Sequence, residues 1–294
     1  MISVIGAGAW GSAIFEVLKV NNKVITSRKR RDIKSFVSLD EALKRKYIII
    51  AIAAQSIRDF LRENGDKLKD KKILVASKGI DTKSNKFLDE IFKEYVSEEN
   101  LAFLSGPSFA KEVKEKKPTA LVIASKNLSL AKEFGDFFPE FIKIYTDSDV
   151  AGVEIAGAYK NVIAIASGIC EGLNLGNNAK AALIARGLVE MDRFGERFGA
   201  KKDTFLGVGG AGDLFLSANS PLSRNYRVGL NLAKGKMLEE ILKELKEVAE
   251  GVYTAKAIYN LSLKYSIYTP IATEVYKILY EKKSIKESIK DLLS

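Results

Sequence analysis

The 294-residue chain contains no histidine. The side chain that most often serves as a general acid or base is thereby excluded, so an enzyme that moves protons here must use Lys, Asp, Glu, Tyr or the single Cys170. One cysteine cannot close an intramolecular disulfide, which fits a reducing compartment, and without histidine a Cys/His metal cluster is excluded. No stretch approaches the ~18 to 20 uncharged apolar residues of a membrane span. The N-terminus runs straight into a strand-like ISVIG rather than a signal peptide. Internal repeats and low-complexity segments are missing as well. These absences lead to the expectation of a cytoplasmic protein with no integral membrane segment.

Apolar residues make up 47% of the chain, and its length suffices for one large or two ordinary domains, each with its own core. The net charge of +10 raises nucleic acid and anionic surfaces as partners. The lysines are dispersed, however. In Leu238–Val248 (LEEILKELKEV) they alternate with glutamates as a solvated helix face does. The denser runs Arg28–Arg31 and Lys111–Lys117 lack the interleaved aromatics on which bases stack, so no nucleic-acid partner is expected. A positive field suits a small phosphorylated ligand equally well.

The first element is an apolar strand, Ile2–Ile5, followed by Gly6-Ala7-Gly8-Ala9-Trp10-Gly11 and a helical stretch to about Val20. In that order Gly6 makes the tight turn, Gly8 admits a pyrophosphate to the backbone, and Gly11 lets helix and strand pack closely. A second strand, Lys23–Thr26, completes the context of a dinucleotide site; the alternative is a glycine-rich turn with no ligand. An NAD site usually carries an acid at the end of that second strand. Here the end reads Thr26-Ser27-Arg28-Lys29-Arg30-Arg31, with no acid before Asp32. This basic cluster favours a 2′-phosphate and hence NADPH, unless it is an ordinary solvated turn.

Further strand-like runs occur at Tyr47–Ala53, Lys72–Ala76, Leu101–Leu104 and Ala120–Ala124, alternating with helical patterns such as Lys86–Tyr95 and Leu128–Phe138. Continuous apolar strands between helices predict a parallel sheet covered on both faces. From about Ser148 the strand signals stop. The expected architecture is an α/β Rossmann-type domain with a mostly parallel sheet over residues 1–148, followed by an all-α domain over residues 149–294.

Val150–Gly172 (VAGVEIAGAYKNVIAIASGICEG) reads as a buried helix, and in its middle sits Lys160. Its helical neighbours Ala156, Gly157, Ile163 and Ala164 include no carboxylate, so no partner lies on its own helix. Either Lys160 snorkels to water along its stem, or it is a desolvated amine with a lowered pKa, fit to exchange a proton. Two strand-end loops merit equal attention, because ligands in open α/β sheets sit beyond the carboxyl ends of the strands. These are Ser77-Lys78-Gly79-Ile80 and Ser105-Gly106-Pro107-Ser108-Phe109-Ala110, each also readable as an ordinary turn. In the helical half, Gly209–Leu214 and Ser220–Asn225 form the other polar, glycine-rich stretch. Arg224 and Asn225 supply a fork and an amide suited to phosphate oxygens, although Asp213 could merely cap a helix and Arg224 sit in a surface ion pair.

At this point Gly6–Gly11 (GAGAWG), Ser77–Ile80 (SKGI), Gly106–Val113 (GPSFAKEV), Pro118–Thr119, Gly152–Ile169 (GVEIAGAYKNVIAIASGI), Asn178–Leu188 (NAKAALIARGL), Gly212–Leu214 (GDL), Ser223–Asn225 (SRN) and Glu250–Thr254 (EGVYT) occur in an order that resembles the bacterial-type glycerol-3-phosphate dehydrogenases using NAD(P)+. The resemblance covers nearly the whole chain. It implies interconversion of dihydroxyacetone phosphate and sn-glycerol 3-phosphate, feeding glycerophospholipid synthesis. By motif, Lys160 resembles the family's proton acceptor. Lys78, Gly106, Ser108, Asp213, Ser223, Arg224 and Asn225 match its substrate-binding positions. Ala9, Trp10, Arg28, Lys78, Ala110, Arg224, Val248 and Glu250 match positions that contact the dinucleotide, alongside the glycines Gly6, Gly8 and Gly11. A homodimer is the expected assembly.

Three features depart from the family pattern. Asn177 stands where Asp is frequent, Ser217-Ala218 stand where Thr-Cys is common, and the segment between Thr26 and Tyr47 is short. The first two are expected to leave the mechanism alone; the third adjoins the adenosine pocket. Two rival readings remain at the level of sequence. One is another two-domain dehydrogenase acting on a hydroxy acid, which would need no phosphate fork. The other is a dinucleotide sensor without turnover, against which an unpaired Lys160 argues, because a sensor gains nothing from its desolvation.

Overall fold

The computed structural model describes residues 1–245 and 248–293, so Lys246 and Glu247 of the amphipathic segment Leu238–Val248 lie outside the described residues. Nine strands are described: β1 (Ile2–Ile5), β2 (Lys23–Thr26), β3 (Tyr47–Ile50), β4 (Lys72–Val75), β5 (Ile80–Asp81), β6 (Lys86–Phe87), β7 (Leu101–Ser105), β8 (Thr119–Ala124) and β9 (Ile142–Asp147). Seven of them form one sheet in the order β2-β1-β3-β4-β7-β8-β9, and β5-β6 form a separate hairpin. The strand order reverses about β1, which opens a crevice at the carboxyl ends of β1 and β3. Every pair in the large sheet is parallel except β7–β8. The sheet is thus mostly parallel, with one antiparallel pair that continuous apolar runs could not reveal.

Alternation along the strands assigns each sheet face its own core. Ile49 and Leu74 pack with Ile14, Phe15, Leu130 and Phe134 on one face. Ile48, Ile50, Ile73 and Val75 pack with Ile57, Leu61 and Phe92 on the other. Strands buried on both sides read as unbroken apolar runs, which is why β1, β3 and β4 were conspicuous in sequence. Val150 and Val153, from the start of the long helix, join the second face and so tie the two halves together.

Beyond β9 the chain is helical among the described residues. The helix Val150–Gly172 runs through the middle of this half and is buried along most of its length. By length and composition it could cross a membrane, yet 94% of its most apolar window is inside the fold. Around it lie the helices Gly176–Glu196, Arg224–Ala233 and Glu250–Tyr265, with the shorter Asp213–Ala218 against its middle. The crossing with Arg224–Ala233 is backbone to backbone. A Cβ on Gly168 would stand 2.0 Å from the Tyr226 carbonyl oxygen, and one on Gly229 would stand 1.9 Å from that of Ile165. This close approach brings the N-terminal residues of the second helix to Asn161.

Several elements differ from the expectations. Residues Lys86–Phe87 are strand, and the helix there is only Leu88–Phe92. The strand expected to reach Ala53 ends at Ile50, the helix after it beginning at Ile57. Edge strand β9 escaped notice because much of it faces solvent and carries polar residues.

Candidate active site

The helix Val150–Gly172 carries Lys160 into the interior, with 8% of the residue exposed. It does not snorkel to water. Nor is it unpaired: Lys160 Nζ donates to Asp213 Oδ1 at 2.7 Å and to Ser217 Oγ at 2.7 Å. The partner lies on another helix, beyond the reach of any i±4 search. The other oxygen of Asp213 accepts from Lys78 Nζ at 2.6 Å, and Lys78 Nζ also donates to the Gly106 carbonyl at 3.1 Å. One carboxylate therefore bridges two ammonium groups, leaving a local charge of plus one.

The polypeptide builds this arrangement from three places. Lys78 follows β4, and its stem lies across Gly157, where a Cβ would be 3.4 Å from its Cγ and Cδ. Gly106 follows β7 with φ +116°, a left-handed conformation that L side chains seldom adopt, and its carbonyl also accepts from Ser108 Oγ at 3.0 Å. Asp213 is the first residue of its helix, 1% exposed, and the N-cap position belongs to Gly212. Its role is ion pairing rather than capping.

Electrostatics follow from this geometry. Burial pulls the Lys160 ammonium down, Asp213 partly restores it, and Lys78 and Arg224 push it lower, to about 8. Burial alone would raise the Asp213 carboxyl, but the two ammonium groups reverse this and hold it below its ordinary range. A lysine near 8 beside a carboxylate that stays ionised can both give and take a proton at neutral pH.

A second cluster adjoins the first. Asn225 Nδ2 donates to Asn161 Oδ1 at 2.9 Å, and its Oδ1 accepts from the Gly251 N–H at 2.9 Å, so the amide clamps three helices together. Ser223 caps the helix Arg224–Ala233 through the Tyr226 N–H. Arg224, at the first helical position, is close enough to both Lys160 and Glu250 to lower each. Glu250 reaches across from the helical half, accepting the Ala54 N–H at 3.0 Å. Burial raises it to about 7, against the opposing effects of that hydrogen bond and of Arg224.

The β1–helix turn lies at the same end of the sheet. The helix Ala9–Val17 has no side-chain cap, Gly8 and Ala9 are exposed, and a Cβ on Gly8 would meet nothing within 4 Å. Uncapped N–H groups beside open space suit an anionic group. Gly6 and Gly11 are closely packed instead; a Cβ on Gly11 would stand 1.8 Å from the Gly6 carbonyl oxygen. Trp10 leans on the core of that face, and Ala110 opens the helix after the Gly106 loop. At the crevice, Glu250 Oε2 and Thr254 Oγ1 are buried polar atoms without a partner, beside Gly79. A dinucleotide fits this set of open N–H groups and unsatisfied oxygens.

Lys78, Gly106, Ser108, Lys160 and Asp213 thus form one hydrogen-bonded unit, with Ser223, Arg224, Asn225 and Glu250 beside it. Arg28, at the end of β2, and Val248 are exposed and outside that network. Ser217, expected to lie outside the mechanism, touches the lysine directly; its position one helical turn after Asp213 was the signal. Asn161 was visible only as the residue after Lys160 in the stretch Gly152–Ile169.

Comparison with known proteins agrees with this geometry. The family described as NAD-dependent glycerol-3-phosphate dehydrogenase matches through its N-terminal model at residues 28–131 and its C-terminal model at residues 149–290. A glycerol-3-phosphate dehydrogenase [NAD(P)+] of Campylobacter lari is 59% identical over 100% of this chain and 97% of its own length. That of a Nitratiruptor species is 58% identical over 96% and 94%. The crystal structure of glycerol-3-phosphate dehydrogenase from Coxiella burnetii superposes with a TM-score of 0.93 at 31% identity, covering 100% of this chain and 98% of that one. On sequence, fold and site together, the chain belongs to the NAD(P)+ glycerol-3-phosphate dehydrogenase family.

Proposed function

We propose that this protein is an NAD(P)-dependent glycerol-3-phosphate dehydrogenase that interconverts dihydroxyacetone phosphate and sn-glycerol 3-phosphate. The observation that carries the reading is the Lys78–Asp213–Lys160 arrangement: one buried and one half-buried ammonium group share one carboxylate at the mouth of the sheet. A net positive site suits a phosphorylated substrate and the alkoxide that develops on reduction. Lys160 gives a proton to the C2 oxygen of the ketone, or takes it back in the oxidative direction. Asp213 orients both lysines, Ser217 fixes the remaining direction of the Lys160 amine, and Arg224 with Asn225 binds the phosphate.

Gly6, Gly8, Ala9, Trp10 and Gly11 would hold the pyrophosphate, and Arg28 a 2′-phosphate, with Lys78, Ala110, Arg224, Val248 and Glu250 along the rest of the dinucleotide. The coenzyme supplies or accepts hydride at its nicotinamide ring. NADPH is the proposed preference, supported by the basic end of β2. The proposed division is a dinucleotide-binding domain over 1–148 and a substrate domain over 149–294. The proposed setting is the cytoplasm, with the product entering glycerophospholipid synthesis. A homodimer is proposed, supported by the exposed Leu263 and Tyr268 on the helical half.

The test is a substrate comparison with NADPH: dihydroxyacetone phosphate, unphosphorylated dihydroxyacetone, and 2-keto acids. Turnover should be confined to the phosphorylated ketone. Preference for a keto acid would favour the hydroxy-acid rival, and coenzyme binding with no turnover would favour the sensor.

A further inference from the structure

Two cavities meet at one side chain. The smaller, about 10 Å³, lies behind the active site and is lined by Lys78, Ser105, Gly157 and Glu154 among others. That is about the space one water needs. The larger, about 410 Å³, lies between the β5–β6 hairpin and the helices Leu88–Phe92 and Glu250–Tyr265, with exposed Glu90 and Lys264 among its lining residues. Among the described residues only Glu154 lines both.

The surroundings of Glu154 suit a proton carrier. It accepts the Asp89 N–H at 3.2 Å, and the Asp89 carboxylate, itself paired with Lys93 at 2.8 Å, stands beside it. Desolvation first, and then this neighbouring negative charge, push the half-buried Glu154 well above the usual carboxylate range, which favours its protonated form. The charged groups facing it are Asp89, Glu90, Lys86 and Lys264 from the larger cavity, Lys93 beside Asp89, and Lys78 from the smaller cavity. On the active-site side, Ser105 Oγ is buried with no partner in the protein, and a Cβ on Gly157 would be 3.1 Å from it. A water in the smaller cavity would satisfy Ser105 and bridge Glu154 toward Lys78.

Under the function proposed above, each reductive turnover consumes one proton, given by Lys160 to the substrate oxygen. Lys160 is buried, and bound substrate and coenzyme would cover its open side. We propose that Glu154 is a proton-relay residue that recharges the Lys78–Asp213–Lys160 unit from the larger cavity through the smaller one. The proton balance closes. Solvent protonates Glu154, and Glu154 passes a proton to the bridging water as that water returns one to the amine at the Lys78 end, which restores the two ammonium groups around the still-ionised Asp213. Oxidation of the alcohol runs the same sequence backward. No bond other than O–H and N–H is made or broken.

The experiment compares the first turnover with later ones in Glu154→Gln, which keeps an acceptor for the Asp89 N–H. In the variant the first turnover of preloaded enzyme with dihydroxyacetone phosphate should match wild type, because Lys160 starts protonated. Later turnovers should slow roughly tenfold or more with KM unchanged, and should quicken with rising buffer concentration as wild type does not. Glu154→Ala should be rescued by formate, which can enter the larger cavity. Independently of turnover, the infrared band of a protonated carboxyl present in wild type at neutral pH should vanish in Glu154→Gln. Should that variant fail to fold, Ser105→Ala tests the other end and should show the same slow later turnovers. An unchanged steady-state rate without buffer dependence, or a Glu154 ionised at neutral pH, overturns the relay. A wild-type protein with no first turnover instead overturns the functional reading on which the relay rests.

Discussion

Replacing Lys160 by Met separates catalysis from packing, and the structure sets the size of both effects. Methionine keeps most of the stem and discards the ammonium. A folded pKa of about 8 against 10.5 means that holding the charged form in the interior costs about 3 kcal/mol at pH 7, even after its pairing with Asp213. Met removes that cost. Against it stands the lost hydrogen bond to Ser217, worth roughly 1 to 2 kcal/mol, the Asp213 pairing being already contained in that cost. Asp213 is not stranded, because Lys78 still holds its other oxygen at 2.6 Å. Net stability should therefore change by no more than ~1 to 2 kcal/mol, or a few degrees in Tm. Linkage gives a further sign. Folded Lys160 binds fewer protons than unfolded between pH 8 and 10.5, so its contribution to stability rises with pH across that window, and the Met variant should lose this rise. Turnover should nevertheless fall ~10² to 10⁴-fold, mainly in kcat, with NADPH affinity near wild type. Thermal unfolding at several pH values, NADPH titration and steady-state kinetics on one preparation decide the matter. A stable, NADPH-binding variant within a few-fold of wild-type kcat would refute the role of Lys160.

Three other perturbations follow from the same structure. Arg224→Ala should weaken dihydroxyacetone phosphate by ~1.5 to 3 kcal/mol, seen as a raised KM, and an unchanged KM and kcat would remove it from phosphate binding. Arg28→Asp should shift coenzyme preference from NADPH toward NADH; a wild type that already prefers NADH at equal concentrations contradicts the reading of the β2 end. Glu250 is raised to about 7, so the folded state holds its proton more tightly than the unfolded. Its stabilisation is complete below about pH 4.5 and is lost as pH rises through 7, and Glu250→Gln should flatten the fall in Tm across that window when coenzyme is absent.

How much of this was readable in the chain depended on whether the signal was local. The glycine turn, β1, β2 and the central strands were legible because burial on both faces leaves continuous apolar runs. Lys160 was conspicuous because nothing else on its helix is positively charged. Its partner was not, since Asp213 is 53 residues away and meets it only through helix packing. Local chemistry left Asp213 open to a capping role, and no periodicity distinguishes a cap from an ion pair. The two-residue strands of the β5–β6 hairpin are too short to carry a pattern, and β9 alternates too irregularly against solvent. Asn225 read as a phosphate ligand from its neighbours in sequence, whereas its amide also clamps Asn161 and Gly251, contacts that exist only once three helices are assembled.

Reduction of a phosphorylated ketone at this site is open to direct assay. Purified protein is mixed with NADPH and dihydroxyacetone phosphate, nicotinamide absorbance is followed, and the product is quantified. The NADPH band should disappear, matched one for one by sn-glycerol 3-phosphate. A band that persists while NADPH is demonstrably bound, or that decays without glycerol 3-phosphate forming, would contradict this function.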